Sequence, residues 1–257
     1  MRSYSSLLAH VLGSSPEIDG YGEHHVRYKN SRSLASLRRR ITRSIGHKPE
    51  GKWLLDKLLH NSLNPPDLLL NRSQFHTVIF LRKPESTLRS MLTRAVNEDL
   101  GSKAKDPQWA CDYYVSRLHR LRQDGERLGK DALYFQSECF INSPQPFLSA
   151  LSSWLDLETP LNTNYHVGKQ SGQVGFGDPS PNIRQGRVLG PEASTIKTDI
   201  IIPSMVLREA QAAYGRCNET LQRRCQTMPL YRHASQKQPA GSRDYFMRDT
   251  EAVIARS

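Results

Sequence analysis

Thr77-Val78-Ile79-Phe80-Leu81-Arg82-Lys83-Pro84-Glu85-Ser86-Thr87-Leu88-Arg89-Ser90-Met91-Leu92 changes its hydrophobic period half-way along. Residues 77–81 form a continuous apolar, β-branched run, the pattern of a buried parallel strand. Pro84 suits the first turn of a helix, where its missing N–H loses no partner, and Glu85 favours the positive end of the helix dipole. Leu88, Met91, Leu92 and Ala95 then recur at i, i+3, i+4 and i+7, a stripe that packs a helix on a sheet. Arg82 therefore leaves the carboxyl end of a strand, where open α/β sheets bind ligands. Ser90, two turns along the helix, is expected to face the same crevice. Taken alone, Arg82 and Ser90 fit an ordinary solvated turn and helix position equally well.

The chain opens on a second stretch that suits an anion. Arg2-Ser3-Tyr4-Ser5-Ser6 runs directly into apolar Leu7-Leu8-Ala9-His10-Val11-Leu12-Gly13. A Ser-rich turn opening a helix offers unpaired N–H groups, hydroxyls and one guanidinium to a phosphate. Ser-rich helix starts are common, and the stretch gains weight only from the distant Arg82 motif.

Together the two stretches resemble the sulfotransferases that use 3′-phosphoadenosine 5′-phosphosulfate (PAPS). The family's phosphosulfate loop, Pro-Arg-Ser-Gly followed by two hydroxyl residues and Leu-Leu, is matched here by Met1-Arg2-Ser3-Tyr4-Ser5-Ser6-Leu7-Leu8. Its 3′-phosphate signature, an Arg closing a strand and a Ser eight residues later, is matched by Arg82 and Ser90. Gly20-Tyr21-Gly22-Glu23 is similar to the segment that carries the family's acidic residue. Lys57 falls at the spacing before Arg82 seen in tyrosylprotein sulfotransferases. Ala132-Leu133-Tyr134-Phe135-Gln136, then Pro144 and a helix with Phe147, Leu148, Leu151, Trp154 and Leu155, resemble the family's later strand and helix. The likeness covers roughly residues 1–190.

This resemblance implies an α/β fold: a single-domain, three-layer, P-loop-like architecture with a central parallel sheet flanked by helices. The domain would span residues 1–230, with a polar C-terminal tail over 231–257. It implies PAPS as co-substrate, without metal, and a hydroxyl acceptor on a carbohydrate, lipid, phenol or tyrosine. Arg2, Ser3, Tyr4, Ser5 and Ser6 would hold the 5′-phosphosulfate, and Arg82 and Ser90 the 3′-phosphate. Tyr134 would touch the nucleotide, and Arg187 or Arg184 would add a 3′-phosphate contact. In-line sulfuryl transfer needs a base on the acceptor and a cation on the leaving oxygen. Glu23 is the expected base, with His24 and His25 as neighbouring alternatives. Lys57 would steady the leaving oxygen and Ser180 would contact the sulfuryl group. Tyr4 replaces the loop glycine, which calls for a negative φ with the ring turned outward. The strand that feeds the loop in the family is missing, so a late start or a truncated member is expected.

Composition fits an anionic partner. There are 36 Lys+Arg against 25 Asp+Glu, a formal net charge of +11. That balance favours a nucleotide, nucleic acid, an acidic acceptor or lipid headgroups. No GxxxxGK[ST] loop supports a P-loop kinase, and no recognisable motif supports nucleic-acid binding. Cys111, Cys139, Cys217 and Cys225 lack paired metal spacing and are too few for a disulfide framework, and reduced thiols fit a cytoplasmic location. No apolar run reaches the length of a membrane span, and peripheral membrane contact is the most that is expected.

Further along, a first helix is expected over about 5–13, then a polar loop through Tyr28. A basic helix with Leu34, Leu37 and Ile41 on its inner side follows. It carries Arg38, Arg39, Arg40 and Arg43 elsewhere, a solvated face or a receiver for an acidic substrate. A short helix is expected to carry Trp53, Leu54, Leu55, Leu58 and Leu59, with Lys57 off its apolar stripe, so that it need not be buried in the core. A long helix from Trp109 to Leu128 has Trp109, Tyr113, Leu118 and Leu121 as core candidates. Residues 162–191 are rich in Gly, Pro and Asn, a functional loop. A helix from Met205 to Cys225 closes the fold, and Ser235–Ser257 is expected to be a loose tail.

Overall fold

The computed structural model describes residues 4–30, 32–51, 53–58, 61, 75–168, 171–172, 181–194, 199–228 and 254–256. The decisive strand and helix form as their pattern predicts. β3 (Val78–Leu81) buries alternate side chains, and α3 (Pro84–Asn97) starts at the proline with Glu85 in its first turn. β3 pairs in parallel with β4 (Leu133–Gln136), and β4 pairs in parallel with β5 (Gln226–Thr227). α4 (Pro107–Leu128) and α8 (Ser204–Arg224) pack beside this sheet with α3. Within α4 the buried face is Ala110, Cys111, Tyr114, Arg117, Leu118 and Leu121. Trp109 and Tyr113 are only half-buried, so the expected inner face is turned by about one residue.

A second small sheet carries the other half of the fold. β1 (Ile18–Asp19) runs parallel to β2 (Trp53–Leu55), and β2 also pairs antiparallel with β6 (Ile254–Arg256). Two expectations are corrected here. The Trp53–Leu55 segment is a strand with all three side chains buried, not part of a helix. Three buried residues suit a strand and a helix alike until a partner strand is known, and β1 and β6 supply the partners. Residues 254–256 are likewise not loose tail but a strand on β2.

The described residues thus show a mixed α/β chain with two short three-stranded sheets, in place of one central parallel sheet. One apolar cluster joins α1 (Ser5–Leu12), β1, β2 and β4 to α5 (Ser137–Asn142) and α6 (Pro144–Trp154). α2 (Arg32–Ile45) buries Leu37 and Ile41 and exposes Arg38, Arg39, Arg40 and Arg43. α7 (Pro191–Ser194) is a single short turn. No helix among the described residues is long and apolar enough to cross a membrane.

Candidate functional site

α1 begins one residue after a strained backbone position. Tyr4 adopts φ 62°, ψ 16°, the left-handed region that disfavours any residue with a Cβ. The expected negative φ with an outward ring is therefore wrong. The ring instead turns onto Arg82, whose guanidinium carbon lies 4.3 Å from the ring centroid and whose Nη2 donates to the Tyr4 hydroxyl at 3.0 Å. The chain keeps the left-handed shape of a loop glycine and uses the side chain elsewhere.

Three side chains from distant stretches meet beside this turn. Lys57 Nζ donates to Ser6 Oγ at 3.2 Å and stands 3.4 Å from Glu23 Oε1. Ser5 and Ser6 are buried in the first turn of α1. Lys57 is buried, at 8% exposure. As the second residue past β2, it leaves the end of a strand rather than the flank of a helix. Glu23 keeps 15% of its side-chain surface, and exposed His25 approaches its other oxygen at 3.9 Å. An ammonium, a carboxylate and a hydroxyl at a helix N-terminus can neutralise an anion and accept a proton at one place.

The loop carrying Glu23 is pinned from below. Gly20, at φ +102°, brings the backbone so close that a Cβ there would lie 2.9 Å from the Leu55 carbonyl. Asp56 accepts the His24 and Lys57 amides at 3.0 and 2.8 Å and the Tyr28 hydroxyl at 2.7 Å. Burial pushes the Asp56 pKa up, and these hydrogen bonds hold it back. Arg40 donates to the His24 carbonyl at 2.7 Å. Beyond Lys57, Arg117 on α4 donates to the Leu58 carbonyl at 2.5 Å and to Asn61 at 2.9 Å. Burial, then Arg40, Lys57 and His25, lower the pKa of His24 to about 4. At neutral pH its imidazole is uncharged and too weakly basic to be the first choice of proton acceptor.

Arg82 is equally well fixed. Its carbonyl accepts the Tyr114 hydroxyl at 2.8 Å and Thr87 Oγ1 at 3.3 Å, and its side chain is buried. It lines a cavity of about 430 Å³ with Tyr4, Lys83, Arg89, Glu138 and neighbouring residues. That volume lies within the range of small-molecule sites. Arg89 is paired with Glu85 on the same wall at 3.1 Å.

Other expected residues fall elsewhere. Ser90 is buried on α3 and does not line the cavity. Tyr134 is a core side chain with no exposure, its hydroxyl donating to Asn218 at 2.6 Å, and it does not line the Arg82 cavity. Arg187 is exposed and lies in an isolated bridge with Asn164, and Arg184 donates to the Gly172 carbonyl at 3.1 Å. Neither lines the Arg82 cavity. Arg2, Ser3 and Ser180 lie outside the described residues.

Pattern reading missed Asp56 and His10. Asp56 had one signal, a lone carboxylate within the otherwise apolar Trp53–Leu59 run beside Lys57. His10 had none. Its ring nitrogens contact the Ser6 carbonyl at 2.7 Å and Ser171 Oγ at 2.6 Å, tying α1 to the Gly-rich loop. Among the described residues no group of three or more His, Cys, Asp or Glu side chains could hold a metal ion. No protein-family model, curated protein or solved structure matches the chain.

Proposed function

We propose that this chain moves the sulfuryl group of PAPS to a hydroxyl acceptor. The observation that supports it most is the meeting of Ser6, Glu23 and Lys57, at 3.2 and 3.4 Å, from three separate stretches. Each was expected to serve the same transfer. In the proposed reaction the N-terminal turn of α1 receives the 5′-phosphosulfate, where N–H groups and the helix dipole favour negative charge. Glu23 accepts the acceptor's hydroxyl proton as the oxygen attacks sulfur. Lys57 faces the bridging oxygen and neutralises charge as the sulfur–oxygen bond breaks. The products are the sulfate ester and 3′-phosphoadenosine 5′-phosphate (PAP). Arg82 and its cavity would take the 3′-phosphate. An acidic acceptor suits the opening, since exposed His25 stands 3.9 Å from Glu23 and the exposed Arg27 and Lys29 follow it in sequence.

One observation favours a second possibility, a catalytically impaired sulfotransferase-fold protein that binds nucleotides or polyanions. Tyr4 occupies the face of Arg82 that a phosphate would use. A single experiment separates the two. PAP, adenosine 5′-phosphosulfate and ATP are titrated calorimetrically, and turnover is followed as PAP release from PAPS. PAP should bind best, and Arg82→Ala should cost about 2–3 kcal/mol of PAP affinity but little for the nucleotide lacking the 3′-phosphate. Glu23→Gln should cut turnover on the order of 100-fold with PAP affinity retained. Tight PAP binding without turnover would select the impaired form, and equal binding of all three nucleotides would refute both.

A further inference from the structure

Glu23 lies in the loop after β1 and Lys57 just beyond β2. Both side chains are long, and a 3.4 Å approach between them persists only if their backbones are fixed relative to each other. One oxygen atom supplies that fixture. Asp56 Oδ1 accepts the amide of His24, the residue after Glu23, at 3.0 Å and the amide of Lys57 itself at 2.8 Å. Asp56 Oδ2 accepts the Tyr28 hydroxyl at 2.7 Å, further along the same loop. The carboxyl is 6% exposed, so water competes little for these bonds.

We infer that Asp56 is a positioning residue for the proposed transfer, holding the proton acceptor and the leaving-oxygen cation in register through their own backbone amides. The inference rests on that proposed transfer for its meaning but not for its test. A carboxyl that merely stabilised the fold would bond to amides anywhere in the loop. Here the two amides on one oxygen belong to Lys57 and to the neighbour of Glu23. A displacement of about 1 Å at reacting groups can cost on the order of 100-fold in rate. Arg82 and its cavity make none of these hydrogen bonds, so nucleotide binding should be spared.

Asp56→Ala and Asp56→Asn are compared with the unaltered protein for PAP affinity, PAPS turnover and the NMR resonance of the Lys57 ammonium. Asp56→Ala should lower turnover on the order of 100-fold, with PAP affinity within about 3-fold. Asp56→Asn keeps an oxygen for the two amides and should recover most of that loss. In the unaltered background Glu23→Gln should shift the Lys57 resonance, and in the Asp56→Ala background that response should vanish. A Lys57 response to Glu23→Gln that survives Asp56→Ala overturns the inference. So does turnover that falls only in proportion to PAP affinity. If the protein transfers no sulfuryl group, the proposed function fails on turnover while the Lys57 resonance still decides the role of Asp56. If Asp56→Ala does not fold, Asp56→Asn is decisive: its Oδ1 keeps the amides, so Lys57 must still respond to Glu23→Gln, and loss of that response overturns the inference.

Discussion

His24 shows how a single residue at this site responds to its burial. Its folded pKa of about 4 lies below the usual 6.5, so the unfolded chain binds more protons between those values. The contribution of His24 to stability is therefore complete above pH ~6.5 and is lost as pH falls toward ~4. The shift corresponds to about 3 kcal/mol at most. Asp56 has the opposite sign: its raised pKa adds stability at low pH that is lost as pH rises through its folded value. The effect of His24 is thus best read as a difference. His24→Gln should flatten the fall in urea-unfolding stability between pH ~6.5 and ~4, and an unchanged fall would contradict the assignment. At this scale the sequence singled out Glu23, Lys57 and Arg82 through the resemblance, while their burial and contacts were not legible, because exposure depends on which neighbours cover a residue.

Elements were legible where their period was long. α3, α4 and α8 carry several turns of apolar stripe, and β3 and β4 are continuous apolar runs flanked by helix starts. Trp53–Leu55 failed because three buried residues satisfy strand and helix patterns alike until a partner strand is known. The packing of α4 on α8 gives a further test. A Cβ on Gly125 would come 2.1 Å from Leu221 Cδ2 and 3.3 Å from Cys225 Sγ. Leu221 has no exposure and little room to turn aside. Gly125→Ala gains about 1 kcal/mol of helix propensity yet overpacks this contact, an effect of about 1–3 kcal/mol. The net expectation is a lower Tm, and the double variant Gly125→Ala/Leu221→Ala should lose less than the sum of the two single changes, because the two share one space. A higher Tm for Gly125→Ala alone would show that the helices separate freely.

At the scale of the molecule, the charge of +11 and the buried Arg82 act over different ranges. Surface charge attracts an anionic nucleotide from a distance and is screened as the Debye length falls from about 10 Å at ~0.1 M salt to about 3 Å at ~1 M. A contact to a buried guanidinium is screened much less. PAP affinity should therefore fall severalfold with salt, while the ratio between the unaltered protein and Arg82→Ala stays nearly constant. A ratio that collapses toward one at high salt would make Arg82 part of the general field rather than a phosphate ligand. The amino-acid sequence by itself determined the strand–turn–helix around Arg82, the helix opening at Ser5, and the basic charge, since these rest on local period, capping and composition. Only the tertiary structure decided that Trp53–Leu55 is a strand, that β2 pairs with both β1 and β6, and that Lys57 meets Ser6 and Glu23 over Asp56. Those outcomes depend on long-range pairing and on the desolvation it imposes, which no local pattern encodes.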